Sequence, residues 1–317
     1  MPCSCRPRPP PTTNVAAAGD VFQIGRFSTL LRSVEDGPPK PLLIASPTEE
    51  GEYPVLLLLH GYLLCNSFYS QLLQHVASHG FILVAPQLYS VAGPDSTEEI
   101  SSTAAVADWL TRGLSAALPP RVNPNLAKLA ISGHSRGGKI AFALALKRAS
   151  ASAAATAPPF SALIGIDPVD GMDKGNQTPP PVLTYEPRSF DLNIPVMVIG
   201  SGLGEVKKNP LFPPCAPRGV NHEDFFRECQ PPACYMVAKD FGHLDMLDDE
   251  TRGIRGKATY CLCRNGLSRE PMRRFVAGAV VAFLKAFVGG DDSDLVALRD
   301  GHSQIAPLQL QRIEFLI

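Results

Sequence analysis

The sequence lacks three features that would point to particular functions. Its 29 lysine and arginine residues are balanced by 30 aspartate and glutamate residues, so a net charge of −1 gives no basic footprint for nucleic acid or an acidic membrane surface. The longest apolar run, Phe275–Leu284, is too short to span a bilayer. There is no C-x-x-C pair and neither a Rossmann nor a P-loop fingerprint, so we expect no metal and no cofactor.

Two features bear on the cell compartment, the cysteines and the N-terminus. Five of the eight cysteines fall between Cys215 and Cys263, and they could be reduced or could form one or two disulfides. The first residues are basic and rich in proline, with no acidic residue before Asp20. They lack the apolar core of a signal peptide, so we expect a flexible tail over 1–20 or, alternatively, a short transit segment.

Strand and helix patterns alternate along the chain. Val55–Leu59 reads "VLLLL", the continuous apolar run typical of a strand buried on both faces of a parallel sheet. This alternation predicts an α/β fold with a mostly parallel sheet covered by helices on both faces. Strands are predicted at 21–34, 42–46, 55–59, 81–85, 126–131, 161–166, 195–199 and 234–238, the first two antiparallel, and helices at 67–79, 97–118, 138–149 and 272–288.

The chain shows no repeat and no dividing linker, so we predict a single domain over residues 21–290. The segment from about 200 to 232 is rich in glycine and proline and interrupts the alternation. Long irregular insertions are often binding loops, so we expect a lid there. Residues 291–317 show no strong pattern and are predicted as a C-terminal tail.

One short motif, Gly133-His134-Ser135-Arg136-Gly137, fits the pattern G-x-S-x-G and stands between a predicted buried strand and a helical stretch. Neighbours without side chains allow the serine a strained backbone conformation in such a sharp turn. Its hydroxyl then stands at the carboxyl edge of the sheet, near the positive end of the next helix. Ser135 is therefore the predicted nucleophile; the alternative is that the glycines only make a tight turn.

A serine nucleophile needs a general base, usually a histidine that a carboxylate orients. His243 follows the last predicted buried strand directly, whereas His222 lies in the long insertion and His302 in the C-terminal tail. A side chain directly after a parallel strand can return over the serine, so His243 is the predicted base.

The acid is predicted to be Asp167, which ends the strand "SALIGID" at the same carboxyl edge as the serine. Asp170, three residues further on, remains an alternative. The following strand is the more usual place for the acid in this architecture, but only Glu205 could serve there, beyond two glycines.

Acyl transfer also requires amide donors for the developing oxyanion. One should be the backbone N–H of Arg136, directly after the nucleophile. The other should come from the loop after the "VLLLL" strand, which reads His60-Gly61-Tyr62-Leu63. The N–H of Tyr62 is the predicted second donor.

Four segments of the chain, "GHSRGGKIAFALAL", "FSALIGIDPVDG", "CAPRGVNHEDFFREC" and "FGHLDMLDD", together resemble plant chlorophyllases, serine esterases of the α/β-hydrolase superfamily. The resemblance runs from about Phe22 to Val288. It implies an α/β-hydrolase fold, a triad of Ser135, Asp167 and His243, and hydrolysis of the phytyl ester of chlorophyll to chlorophyllide and phytol. It also implies a location in the chloroplast, with the cytoplasm as the alternative.

A long hydrocarbon on a flat macrocycle requires a large apolar groove. Candidate groove residues follow the oxyanion loop and occupy the insertion: Leu63, Phe68, Phe212 and Phe225. The rival functions are a general carboxylesterase or lipase for apolar esters and a pigment-binding homologue that has lost catalysis. Peripheral association with pigment-bearing membranes is a further expectation, and the oligomeric state stays open.

Overall fold

Strands and helices alternate along most of the chain. A computed structural model describes residues 20–91, 93–150 and 158–317, and most of the predicted N-terminal tail lies outside these ranges. The strands are β1 (Thr29–Val34), β2 (Leu42–Pro47), β3 (Gly51–Leu59), β4 (Ile82–Pro86), β5 (Val122–His134), β6 (Ala162–Ile166), β7 (Val196–Ser201), β8 (Ala233–Ala238) and β9 (Leu310–Leu316). The helices are α1 (Ser70–Ala77), α2 (Thr97–Ala117), α3 (Arg136–Ser150), α4 (His222–Glu228), α5 (Gly253–Ala258), α6 (Glu270–Leu284) and α7 (Ser293–Ile305).

All of these strands join one sheet in the order β1-β2-β4-β3-β5-β6-β7-β8-β9. The two edges pair antiparallel, β1 and β2 on one side and β9 on the other, whereas every pairing from β4 to β8 is parallel. The predicted fold class, an α/β-hydrolase fold with a mostly parallel sheet, is confirmed. Within the described ranges, no helix is long and apolar enough to cross a membrane.

Burial on both faces explains the continuous apolar strands. In β3, Leu56 and Leu58 pack into the core on the side of α1 and α6, whereas Leu57 and Leu59 pack against α2 and α3. Successive side chains of a strand point to opposite faces, so a strand with helices on both sides has no polar position. These strands therefore end together at a carboxyl edge where loops can carry polar side chains.

The C-terminal segment differs from its prediction. Residues 291–317 contain α7 and β9, and β9 completes the sheet beside β8, so the expectation of a patternless tail is wrong here. An edge strand keeps about half of its residues in solvent, and Arg312 and Glu314 of β9 form an exposed ion pair. The apolar run that marks the buried strands is consequently missing from this segment.

Two other elements also depart from the sequence pattern. The first strand begins at Thr29 and not at Val21, because Val21 and Phe22 form a short 3₁₀ turn in which Phe22 stacks on Phe275 of α6. The expected lid contains α4, which begins with a capping box at Asn221. The rest of that insertion, 202–221 and 229–232, has no helix or strand.

Candidate active site

Ser135 occupies the sharp turn between β5 and α3 in a left-handed backbone conformation, with a φ of +56°. A side-chain carbon on Gly133 would lie 2.1 Å from the carbonyl oxygen of Gly137, and one on Gly137 would lie 2.4 Å from that of Leu59. Both glycines are therefore required by close packing of the turn against itself and against β3. The Ser135 N–H donates to Ile166 O at 3.0 Å, which fixes the serine beside the end of β6.

The predicted acid and base are in direct contact. Asp167 follows β6 with a φ of +44°, and His243 lies in the loop after β8. Nδ1 of His243 donates to Oδ2 of Asp167 at 2.8 Å, and both side chains are buried. An imidazole that donates from Nδ1 keeps Nε2 as its proton acceptor, which is the form a general base requires.

The charge on Asp167 is stabilised by its neighbours. Burial by itself raises the pKa of this carboxyl, but the hydrogen bond and charge of His243, the charge of His222 and the Ser201 hydroxyl outweigh it and lower the pKa to about 2. Ser201, the last residue of β7, donates from its hydroxyl to Oδ2 and from its N–H to Oδ1. Asp167 is thus an ionised acceptor at neutral pH.

The alternative acids have other partners. Asp170 is fully buried, lies 3.4 Å from the Lys139 ammonium and accepts the N–H groups of Val182 and Leu183. It supports the loop after β6 and does not contact His243. Glu205 is exposed and accepts a hydrogen bond from the Asn221 amide at 2.9 Å.

The two alternative bases, His222 and His302, lie on helices. His222 on α4 has Nε2 3.7 Å from Oδ1 of Asp167, and its Nδ1 is hydrogen-bonded to the Tyr235 hydroxyl at 2.7 Å. It therefore contacts the carboxylate oxygen that His243 does not use. His302 belongs to α7, and its side chain is outside the part of the chain that the structure describes. Among the described residues, no group of three or more histidine, cysteine, aspartate and glutamate side chains is placed to hold a metal ion.

The predicted oxyanion loop passes directly against the serine. A side-chain carbon on Gly61 would lie 3.1 Å from Cβ of Ser135. Leu63 in this loop has a φ of +57°, an uncommon conformation for a residue with a side chain. Arg136 is the first residue of α3, so its N–H has no partner within the helix. The N–H groups proposed for the oxyanion thus belong to adjoining segments.

The Arg136 side chain has a role that the motif did not predict. Its guanidinium is buried, forms an ion pair with Glu99 of α2 at 2.6 Å and donates to the carbonyl of Asp95. The Tyr62 ring lies over the guanidinium at 5.6 Å. Arg136 therefore anchors the segment before α2 and the oxyanion loop at the serine turn.

A chain of hydrogen bonds connects the oxyanion loop to the base. The Gly61 N–H donates to the Tyr69 oxygen at 3.1 Å, and the Tyr69 hydroxyl contacts Nδ1 of His134 at 2.7 Å. Nε2 of His134 contacts the carbonyl oxygen of His243 at 2.8 Å. Burial lowers the pKa of His134 to about 3, so the ring is neutral and can accept at Nδ1 while it donates at Nε2. The sequence does not reveal the contact between Tyr69 and His134, because these residues are 65 positions apart.

The predicted groove residues fall into two groups. Leu63 and Phe212 are partly exposed, at 38% and 51%. Phe68 and Phe225 are core residues, which corrects the assignment of both to a groove; Phe225 packs against the rings of Phe142 and Phe190. Phe225 is on the inner face of α4, where it covers the sheet.

Cys215 and Cys263 form a disulfide, whereas Cys65, Cys229, Cys234 and Cys261 are free thiols. The bridge joins the irregular insertion after β7 to the segment before α6. The Gly204 and Ala216 backbones pair next to Asp167, and a side-chain carbon on Gly242 would lie 1.8 Å from the carbonyl oxygen of Arg264. The bridged segments therefore pack against the acid and the base.

A family model for chlorophyllase matches residues 17–317. The chain belongs to the chlorophyllase family. It is 64% identical over 281 residues to chlorophyllase-2 of Arabidopsis thaliana, with 88% of this chain and 87% of the relative covered. It is 46% identical to chlorophyllase-1 of Arabidopsis thaliana, over 90% of this chain and 89% of the relative. It is 44% identical to "Chlorophyllase-1, chloroplastic" of Citrus unshiu, over 93% of this chain and 88% of the relative.

The family match extends through α7 and β9, so the sheet edge that the sequence pattern did not reveal belongs to the region that this chain shares with chlorophyllases. The resemblance stated from four short segments is confirmed over most of the chain.

Proposed function

We propose that this protein is a carboxylic ester hydrolase that cleaves the phytyl ester of chlorophyll to chlorophyllide and phytol. The observation that carries the proposal is a strained serine turn beside a buried carboxylate–histidine pair with a 2.8 Å contact between Asp167 and His243. Relatives named chlorophyllase at 64% and 46% identity support the substrate.

In the proposed first step, Ser135 Oγ attacks the ester carbonyl carbon while Nε2 of His243 accepts the hydroxyl proton. Asp167 holds the Nδ1–H and stabilises the imidazolium that forms. The negative oxygen of the tetrahedral intermediate accepts the N–H groups of Arg136 and Tyr62.

In the second step, the intermediate expels phytol, whose oxygen takes the proton from His243, and chlorophyllide remains bound to Ser135 through an ester bond. His243 then deprotonates a water that attacks this acyl-enzyme. Chlorophyllide leaves as a carboxylic acid, and Ser135 recovers its proton.

We place this activity in the chloroplast, because a Citrus relative at 44% identity carries that location in its name; the cytoplasm is the alternative. A phytyl ester dissolves in lipid and not in water, which favours peripheral association of the protein with pigment-bearing membranes.

The decisive experiment compares esters that share one part of chlorophyll. The phytyl ester and the methyl ester of the same macrocycle, p-nitrophenyl butyrate and a phospholipid are assayed in detergent, with Ser135→Ala as the control. We expect kcat/KM for the phytyl ester to exceed that for each other substrate by at least about tenfold. A preference for the short ester or the phospholipid would make the protein a general carboxylesterase or lipase. Pigment binding without turnover would make it a carrier.

A further inference from the structure

Two segments beside the active site, the second of which contains α5, carry charged residues of one sign only. Residues 206–219 follow β7, and residues 251–268 follow the His243 loop. The first segment has three basic residues and the second has four, and neither has an acidic residue. The two segments together therefore carry seven basic residues, while the nearest carboxylates belong to the flanking residues Glu205 and Glu250 and to Asp245 and Asp249, which line the cavity between the segments.

The same segments expose large apolar side chains. They make up 32 of the 317 residues but contain seven of the fifteen large hydrophobic residues that are exposed in the described chain. The exposed fraction is 86% for Leu211 and 90% for Ile254, and Leu267 is fully exposed. The others are Val206, Phe212, Tyr260 and Leu262. Contiguous exposed apolar side chains mark interaction sites on soluble proteins.

The two segments form one surface. The Cys215–Cys263 disulfide joins them covalently, and Lys208 of the first lines the same cavity as Tyr260 and Leu267 of the second. We call residues 206–219 and 251–268 the docking face.

The docking face is anchored at the proposed triad. The Ala216 N–H donates to the Gly204 carbonyl at 3.0 Å, and a side-chain carbon on Gly204 would lie 3.4 Å from Oδ2 of Asp167. On the other side, the Asp245 carboxylate accepts the N–H groups of both Gly242 and Gly266 at 2.6 Å. A partner bound to this face therefore lies next to the site in which the ester reacts.

We propose that the docking face binds the surface of an anionic lipid bilayer and presents the active site to an ester dissolved in that membrane. Exposed apolar side chains enter the interfacial region of a bilayer, and basic residues among them bind anionic headgroups. A second copy of this chain is disfavoured, because it would bring seven positive charges against seven. The inference rests on the proposed function for one point only, that the substrate is an ester dissolved in the membrane.

The test measures binding to phosphatidylcholine vesicles with and without phosphatidylglycerol. We expect the protein to sediment with the anionic vesicles, less so at high salt, and to bind the neutral vesicles at least about tenfold more weakly. Leu211→Ser/Leu267→Ser and Lys207→Gln/Lys208→Gln should each weaken binding to the anionic vesicles at least about tenfold. The turnover of p-nitrophenyl butyrate and the melting temperature should not change in either double variant.

Matched controls use residues outside the docking face. The exposed Ile24→Ser matches the apolar change, and Arg112→Gln/Lys128→Gln, an exposed and a partly exposed residue, matches the charge change; both should bind like the wild type. Any one of three results would overturn the inference. The controls could lose as much vesicle binding as the docking-face variants, or the protein could bind both kinds of vesicle equally. The third is a concentration-dependent dimer that the docking-face variants abolish. Chlorophyll hydrolysis in detergent separates the two proposals: turnover there without vesicle binding contradicts the docking face alone. Vesicle binding without turnover contradicts the proposed function alone.

Discussion

At the residue scale, backbone strain coincides with the proposed chemistry. Six non-glycine residues of the described chain have a positive φ, and three of them, Leu63, Ser135 and Asp167, belong to the oxyanion loop, the nucleophile turn and the acid. Such conformations cost about 1–3 kcal/mol each and persist where the surrounding structure over-determines them. Here Gly61 packs closely against the side chains of His134 and Ser135, and Gly137 packs against the backbone at the end of β3.

Removing the nucleophile should separate chemistry from stability. We expect Ser135→Ala to lower esterase kcat by at least about a thousandfold, because only oxyanion and binding effects remain. The melting temperature should hardly change, and labelling by a fluorophosphonate should be lost. Ser101→Ala, on the exposed face of α2, is the matched control and should keep full activity. A Ser135→Ala enzyme that keeps a tenth of the wild-type rate would contradict the triad.

Three amide substitutions test the acid. Asp167→Asn keeps the shape of the side chain but loses its charge and favours the wrong histidine tautomer, so kcat should fall by about three to four orders of magnitude with little change in KM. Glu205→Gln should cost less than about tenfold, because that carboxylate is exposed and contacts Asn221. Asp170→Asn should lower the melting temperature instead, because it leaves the buried Lys139 ammonium without its counter-charge. An inactive Glu205→Gln enzyme with an active Asp167→Asn enzyme would place the acid after β7.

At the element scale, the site is assembled by loops that follow parallel strands. The oxyanion loop follows β3, the serine turn follows β5, the acid follows β6 and the base follows β8. Parallel strands place their carboxyl ends at one edge, so four distant segments meet there. Loops carry the chemistry while the buried strands hold them in position.

The disulfide should stabilise two of these loops. For a sequence separation of 48 residues, the chain-entropy model gives a stabilisation of about 4 kcal/mol. We expect reductant to lower the melting temperature by several degrees and to raise KM, because the bridged segments pack beside Asp167 and His243. The Cys215→Ser/Cys263→Ser variant should show both changes without reductant. Cys261→Ser, at an exposed free thiol, should behave like the wild type. A wild-type protein that is indifferent to reductant would refute this role.

At the scale of the whole molecule, burial keeps several histidines neutral. Burial lowers the pKa of His60 and of His75 to about 4, and that of His134 to about 3. In the unfolded chain each has an ordinary pKa near about 6.5. Below that pH the unfolded chain binds protons that the folded protein does not, so stability is complete above about pH 6.5 and is lost as the pH falls toward about 4.

Acidification should therefore destabilise the protein before its carboxylates titrate. We expect the melting temperature to be flat above about pH 6.5 and to fall steadily from there to about pH 4. His75→Gln should reduce that slope by about a quarter, because it removes one of four histidines whose pKa burial lowers, the fourth being His79; the His75 ring on α1 is hydrogen-bonded to the Val21 carbonyl and stacks on His79. A variant with the slope of the wild type would show that buried histidines do not cause the loss.

Local sequence patterns determined the buried strands and the predicted catalytic residues of this protein. The "VLLLL" run at Val55–Leu59 predicted a strand buried on both faces, and the spacing around Ser135 predicted a sharp turn between a strand and a helix. His243 and Asp167 were predicted because each directly follows a buried strand. The periodicity of burial and the steric limits of the backbone act over a few residues. A strand or a sharp turn can therefore be predicted without knowing which distant parts of the chain lie nearby.

Only the tertiary structure decided the rest, because those features depend on which distant segments meet. A phenylalanine such as Phe225 can line a groove or fill a core, and only its packing against Phe142 shows that it belongs to the core. The Tyr69–His134 contact and the choice of Cys215 and Cys263 among the cysteines have no local signal, since residues far apart in sequence become neighbours through the sheet order. The docking face depends on the fold for the same reason. Its two segments are far apart in the sequence, and the Cys215–Cys263 disulfide brings their basic residues together.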